Sequence, residues 1–148
     1  MALEERLVEE MKHAMKANDK VRLSTIRMIR TAVKNREIDL RKKLEDDEII
    51  RVIQGMVRKS EESVEQFQQG GRPDLVEKEN KEIEILKSYL PQSLSEEEIL
   101  KMIDQSIQET QASSLKDLGK VMKSVMPKVT GKADGKLINQ LVKERLSP

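Results

Sequence analysis

Apolar residues recur every three or four positions along most of the chain, and this spacing is typical of one face of an α-helix. Over the first 90 residues the pattern predicts four helices, at about residues 3–16, 20–41, 46–69 and 73–90. Gly70 and Gly71 suit the end of the third helix, and Pro73 suits the start of the fourth. Because the connections are short, we expect these helices to form an antiparallel bundle.

Three features of this bundle carry more specific expectations. Leu40 continues the apolar face of the second helix and is expected to be buried with it. Gly55 lies inside the third helix and predicts a close approach by a neighbouring helix, because glycine carries no Cβ. The run Glu77–Glu84 is polar nearly all round, which predicts that this half of the fourth helix projects into solvent.

A second group of helices follows the segment Leu90-Pro91-Gln92-Ser93, which predicts a linker because proline disfavours helix at the residue before it. Three shorter helices are expected there: one capped by Ser95 and Glu98, one from Ser114 to Pro127, and one over about residues 133–146. Leu115 and Leu137 are assigned to the buried faces of the last two. The predicted fold is all-α, with an N-terminal antiparallel helical bundle over residues 1–91 and a three-helix module over residues 92–148.

The composition supports a helical fold and narrows the chemistry. Hydrophobic residues make up 36% of the chain and charged residues 37%, while Phe67 and Tyr89 supply all of the aromatic side chains. The chain holds no cysteine, so a disulfide framework is excluded. No apolar run approaches the roughly 20 residues of a membrane span, and the acidic N-terminus does not resemble a signal peptide. These features predict a cytoplasmic protein without membrane contacts.

Charge is segregated along the chain although its net value is only +1. Residues 1–43 hold 12 basic against 7 acidic residues, residues 44–111 hold 8 against 17, and residues 112–148 hold 8 against 3. One interpretation is that the basic ends bind an anionic partner. The other is that they are neutralised by the acidic middle within the fold.

Catalysis by this chain alone is not indicated. A single histidine, His13, lies opposite the apolar face of its helix, and one histidine makes neither a metal site nor a triad. The carboxylate clusters fall at helix starts or on polar faces, and no phosphate-binding loop is present. We therefore assign no catalytic residue, metal or cofactor.

Lysines line the outer faces of the last two helices. On the helix that begins at Ser114, the lysines share one stripe at helical spacing. Further lysines surround the corner that follows it, and others lie with Asn139 on the outer face of the last helix. Such rows can contact phosphate groups without reading sequence, and with no aromatic stacking platform they favour a folded backbone over single strands. Solvated surface lysines are the alternative interpretation. The candidate RNA-binding residues are Lys116, Lys120, Lys123, Lys128, Lys132, Lys136, Asn139 and Lys143.

A second basic stripe is predicted on the long second helix, where Arg27, Arg30 and Lys34 project within one narrow arc. It could contact phosphate as well. The alternative is a solvated face that pairs with the glutamate-rich middle of the chain.

The segments Tyr89–Ile99 (YLPQSLSEEEI) and Asp117–Leu146 (DLGKVMKSVMPKVTGKADGKLINQLVKERL) resemble the YqeY family. The family resemblance covers the whole chain. Residues 93–146 are also similar to the tail domain of GatB, the B subunit of tRNA-dependent glutamyl/aspartyl amidotransferases. The resemblance implies that tRNA or another structured RNA is held by Lys120, Lys123, Lys128, Lys132 and Lys136, together with Asp134 and Asn139. It implies shape-setting roles for the glycines of the motif, Gly119, Gly131 and Gly135. Pro127 is expected from its own chemistry to shape the corner between the last two helices.

Amide transfer is not implied by a tail domain, because the nucleotide and metal sites of GatB belong to its catalytic body. A carbon–nitrogen ligase activity with glutamine as amide donor is therefore expected of the larger GatB protein and not of this chain. Two functions remain as expectations. One is a non-catalytic adaptor for tRNA or structured RNA, linked to amidotransferase function. The other is a protein–protein module that docks on an amidotransferase or synthetase through an acidic helix or an apolar groove.

Overall fold

The computed structural model describes residues 2–91 and 93–148, and over these ranges the chain is all-α with seven α-helices and no strand. This confirms the predicted fold class. The chain divides into two compact units, residues 1–90 and 91–148, each with its own hydrophobic core. Gln92, in the predicted linker, lies outside the described residues. The helices are α1 Leu3–Lys16, α2 Lys20–Leu40, α3 Asp46–Gln69, α4 Pro73–Lys87, α5 Glu96–Thr110, α6 Leu118–Val129 and α7 Gly135–Leu146.

The N-terminal unit is a bundle of α1 to α4 whose boundaries follow local chemistry. The Asp19 carboxylate accepts from the Arg22 backbone N–H and caps α2, and Arg41 in left-handed conformation ends that helix. Gly71, with φ of 68°, follows α3, and Pro73 opens α4. The core is formed by aliphatic residues of all four helices, among which Ile26, Ile29 and Ile53 are fully buried.

Tyr89 closes one end of this bundle. Its ring is only 3% exposed, its hydroxyl donates to Glu10 Oε1 at 3.2 Å, and the Arg6 guanidinium lies 4.8 Å from the ring centroid. Burial, followed by the neighbouring Glu10 carboxylate, raises the pKa of the Tyr89 hydroxyl. The contacts join α1 to the residues that follow α4.

Three expectations for the N-terminal unit are wrong. Leu40 is 39% exposed, because α2 ends there and its last turn extends past the core. A Cβ built on Gly55 would meet no described atom within 4 Å, so no helix makes a close approach at that position. The run Glu77–Glu84 does not all project into solvent, since Glu82 is only 8% exposed.

The C-terminal unit contains α5, α6 and α7, with a 3-10 turn at Leu115–Asp117 before α6. Ser95 accepts from the Glu98 backbone N–H at 3.2 Å, which confirms the predicted cap of α5. The core is formed by Ile99 and Ile103 of α5 and by valines and leucines of α6 and α7. The Leu94 backbone N–H donates to the Lys132 carbonyl at 3.0 Å and fixes the chain that enters the unit.

Two leucines and a proline of this unit differ from expectation. Leu115 is 49% exposed because it lies in the 3-10 turn and not in α6, and Leu137 is 40% exposed in the first turn of α7. Pro127 does not stop its helix, and α6 continues to Val129. Val125 and Val129 are fully buried four residues apart, so their burial favours a further turn despite the missing proline N–H.

Candidate nucleic-acid interface

The C-terminal lysine row consists of Lys116, Lys120 and Lys123, which the 3-10 turn and α6 hold on the surface of their unit. All three side chains are exposed. Ser114 and Asp117 fix the start of this segment. The Asp117 carboxylate accepts from the Ser113 backbone N–H at 2.9 Å, and the Ser114 hydroxyl accepts from the Lys116 backbone N–H. Those backbone donors lower the pKa of Asp117, because they stabilise its carboxylate form.

Lysines of the following corner and of α7 extend this surface. Gly131 is buried with φ of 78°, a left-handed conformation that favours glycine, and it turns the chain toward Lys132. Lys136 and Lys143 are exposed on α7, and Asn139 is half-buried between them. Across the described part of the C-terminal unit, no carboxylate lies within ion-pair distance of Lys132, Lys136, Lys143 or the lysine row.

Lys128 differs from the other candidates because its ammonium is already bound. Its Nζ donates to Glu109 Oε2 at 3.1 Å and to Ser106 Oγ at 3.4 Å, while the Ser124 hydroxyl lies 3.1 Å from Ser106 Oγ. Ser106 is fully buried, so this network joins α5 to α6 through polar groups within the packed unit. Lys128 therefore has a structural role that the sequence did not reveal.

The N-terminus of α7 is already capped from within the chain. The Asp134 carboxylate accepts from the Lys136 backbone N–H at 3.0 Å and occupies the position where an external phosphate would bind. An acidic N-cap residue thus satisfies one of the backbone donors at this corner.

The remaining shape-setting glycines have different surroundings. Gly119 lies in α6, and a Cβ there would meet no described atom within 4 Å. A Cβ on Gly135 would lie 3.7 Å from Met126 Cε, which is an ordinary van der Waals contact. Among the three glycines, only Gly131 has backbone angles that favour glycine.

The α2 basic cluster, Arg27, Arg30 and Lys34, surrounds one depression of about 510 Å³ on the N-terminal unit. Thr31, Asn35 and Met11 complete its lining, and Arg30 Nη1 lies 3.4 Å from Met11 Sδ. No carboxylate in residues 2–91 forms an ion pair with any of the three cations. The expected pairing with the glutamate-rich helices is absent from this described unit, so the cluster presents three free charges.

Glu82 is a residue that sequence reasoning missed. It lies on α4 facing α2 and α3, and it lines a cavity of about 740 Å³. Within the described residues its carboxylate accepts no hydrogen bond and has no cation within ion-pair distance, and its oxygens are open to the cavity. Burial, and then the nearby Glu79 carboxylate, raise its pKa above the ordinary glutamate value. Glu82, Leu86 and Tyr89 follow at i, i+4 and i+7, and this spacing could have placed the glutamate on the packed face.

These features define a helical protein with two basic surfaces, and the described residues contain no cluster of three or more potential metal ligands. The chain belongs to the YqeY family, since residues 4–146 match the family described as Yqey-like protein. The resemblance found in the sequence is thereby confirmed over nearly the whole chain.

Fungal relatives bear the name Altered inheritance of mitochondria protein 41, mitochondrial. The Lachancea thermotolerans protein is 39% identical over 87 residues, which cover 58% of this chain and 46% of the relative. The Pyrenophora tritici-repentis protein is 28% identical over 142 residues, covering 94% and 78%, and the Clavispora lusitaniae protein is 38% identical over 115 residues, covering 76% and 66%. The chain thus spans about half the length of the first of these relatives.

The cytoplasmic assignment is wrong as a general statement, because the names of these relatives identify them as mitochondrial. Cysteine content and the absence of long apolar runs suit more than one compartment, so they could not decide the question. Every helix in the described ranges is too short or too polar to cross a bilayer.

Proposed function

We propose that this chain binds structured RNA, with tRNA as the first species to examine, through phosphate contacts made by the lysines of its C-terminal unit. The observation that carries the proposal is the C-terminal lysine row, whose three ammonium groups are exposed and form no ion pair with the described residues. A lysine without an internal partner gains more from a phosphate than one that must first break a salt bridge.

The C-terminal unit favours RNA recognised through its backbone. It contains no aromatic residue, so bases have no ring on which to stack. Most of its basic groups lie on helices, whose regular spacing suits the fixed phosphate spacing of a folded RNA. The resemblance to the GatB tail is the reason to examine tRNA first and to link the chain to tRNA-dependent amidotransferases. In this proposal the chain binds, and a separate protein performs any carbon–nitrogen ligation.

The test compares binding of a tRNA mixture and of duplex DNA by fluorescence anisotropy at two salt concentrations. Changing Lys116, Lys120 and Lys123 together to alanine should weaken tRNA binding by about tenfold or more at low salt, and reduce the salt slope by about 3. The matched control changes three lysines on α4 and α5, Lys78, Lys81 and Lys101, to alanine, with the same loss of charge.

Equal effects of the two triple variants would mean that net charge alone governs binding. Absence of tRNA binding at low salt would refute the proposal. Binding that prefers tRNA over duplex DNA and depends on the lysine row would support it.

A further inference from the structure

The cavity beside Glu82 is an open groove between α2, α3 and α4, and we call it the Glu82 groove. Its α2 wall extends from Lys20 to Asn35, which is about 22 Å at the helical rise. Met56 and Ser60 of α3 and Leu86 of α4 line the opposite side. The groove is long enough for about four turns of a helix. It is also open, whereas a pocket for a small ligand usually encloses that ligand on most sides.

Methionines make the wall of this groove adaptable. Met28 is 48% exposed although it lies beside the packed residues of α2, and Met56 is partly buried opposite. Methionine is flexible and polarisable, and it is frequent on surfaces that accept apolar side chains of a partner. The exposed Met28 side chain therefore indicates a surface that can pack against the apolar face of a partner helix.

The groove also has a distinct charge pattern. Lys20, Arg27 and Lys59 are exposed along it, and none of the three forms an ion pair with a described carboxylate. Glu82 is nine-tenths buried at the same site, and its carboxylate has no partner in the described structure. No buried side-chain oxygen of the described residues lacks a hydrogen-bond partner, so the unpaired Glu82 oxygens face the open side of the groove. A cation of a ligand can form a charge-assisted hydrogen bond with them there.

We propose that the Glu82 groove is a docking site for an amphipathic α-helix of a partner protein, which places an arginine or lysine side chain against Glu82. Apolar residues of that helix contact Met28 and Met56, and acidic residues on its flank face the exposed cations. The buried acid thus selects a basic residue at the centre of the helix, while the cations select acids at its edge. This site is separate from the lysine row and goes beyond the RNA-binding function.

The test selects helices from a displayed library of amphipathic sequences about 16 residues long, using the full chain as bait. We expect the selected helices to carry arginine or lysine between apolar positions. Glu82→Gln should weaken their binding by about tenfold or more, because it replaces a charged hydrogen-bond partner with a neutral one. Met28→Asp should abolish binding, and the Met28 and Met56 methyl resonances should shift when the selected helix is added to the unaltered protein.

Matched controls are available in the same unit. Glu84→Gln removes an exposed carboxylate from α4, and Met15→Asp changes a methionine that is 53% exposed on α1. Both variants should retain full binding of the selected helix. Circular dichroism of each variant establishes that the fold is retained.

Several outcomes would overturn the proposal. The library could yield no binder, or binders that tolerate both Glu82→Gln and Met28→Asp. N-acetylarginine amide alone could bind as tightly as the selected helix, which would assign the groove to a small cation. A concentration-dependent dimer that Met28→Asp abolishes would assign it to a second copy of this chain.

Discussion

Lys128 of the C-terminal unit and Glu82 of the N-terminal unit are both charged residues packed between helices, and they differ in whether the chain supplies a partner. In the C-terminal unit, the Lys128 ammonium contacts Glu109 and the buried Ser106, and the Asp134 carboxylate caps α7. In the N-terminal unit, Glu82 is buried without a described partner, and the α2 basic cluster pairs with no described carboxylate. A charge satisfied within its own unit contributes to packing, whereas an unsatisfied one is available to a ligand. Exposure alone would not distinguish these roles.

Removal of the α2 basic cluster is expected to give the largest effect among the tests of this comparison. Changing Arg27, Arg30 and Lys34 together to alanine should lower the affinity for tRNA by about tenfold at low salt, because three unpaired cations are lost. The thermal unfolding midpoint should change little, since no ion pair of the described unit is broken. Anisotropy and calorimetry measure the two quantities. A large loss of stability with unchanged affinity would make this cluster structural.

Glu82→Gln should stabilise the folded protein by less than about 1 kcal/mol at neutral pH, since it removes a charge that the fold partly desolvates. The pKa of Glu82 is raised in the folded state. The folded chain therefore binds this proton more tightly than the unfolded chain, and stability falls as pH rises from the ordinary glutamate pKa through the folded value. Urea unfolding at about pH 7 and about pH 4 should show the gain only at the higher pH. The exposed Glu84→Gln should show no such difference.

Asp134→Ala should destabilise the C-terminal unit by about 1 kcal/mol, because the side-chain cap of α7 is lost. The same change uncovers the backbone N–H of Lys136 for an external anion. We therefore expect lower stability in urea together with equal or tighter tRNA binding. Weaker tRNA binding would show that the aspartate itself contributes to the interface. Asp134→Asn retains a capping side chain and should recover most of the stability.

Lys128→Met and Lys123→Met should separate the paired lysine from the unpaired one. The first should cost about 0.5 kcal/mol, the usual value of a partly exposed ion pair, and the second should cost almost nothing. Their effects on tRNA affinity should be reversed, because the Lys128 ammonium is already bound. If both substitutions weaken tRNA binding equally, the Lys128–Glu109 pair opens when RNA binds. Chemical denaturation and anisotropy provide the two measurements.

The helices could be predicted from the sequence because apolar spacing, caps and glycines act locally. Tertiary effects explain the errors. Pro127 was expected to stop α6, but the buried Val125 and Val129 extend the helix beyond it. Leu115 was counted in that helix because a 3-10 turn cannot be distinguished from a first helical turn by apolar spacing.

Candidate sites were harder to predict than helices. The spacing of Arg27, Arg30 and Lys34 correctly placed them on one face, since they share a single depression. The partner of Lys128 is Glu109, nineteen residues earlier in the chain, and such a pairing depends on how α5 and α6 pack. Glu82 lies in a run of polar residues, so the polar pattern predicted exposure. Its spacing from Leu86 and Tyr89 is the signal that places it on the packed face.

Tyr89 makes the two units differ in their aromatic spectroscopic signals. It is the sole tyrosine, tryptophan is absent, and Phe67 also belongs to the N-terminal unit. Tyrosine emission and near-ultraviolet dichroism therefore follow the closure of the α1 to α4 bundle, where the ring lies against Arg6 and Glu10. The C-terminal unit is silent in these signals but contributes fully to the far-ultraviolet helix spectrum. Recording both during one thermal scan resolves the unfolding of each unit without an introduced label.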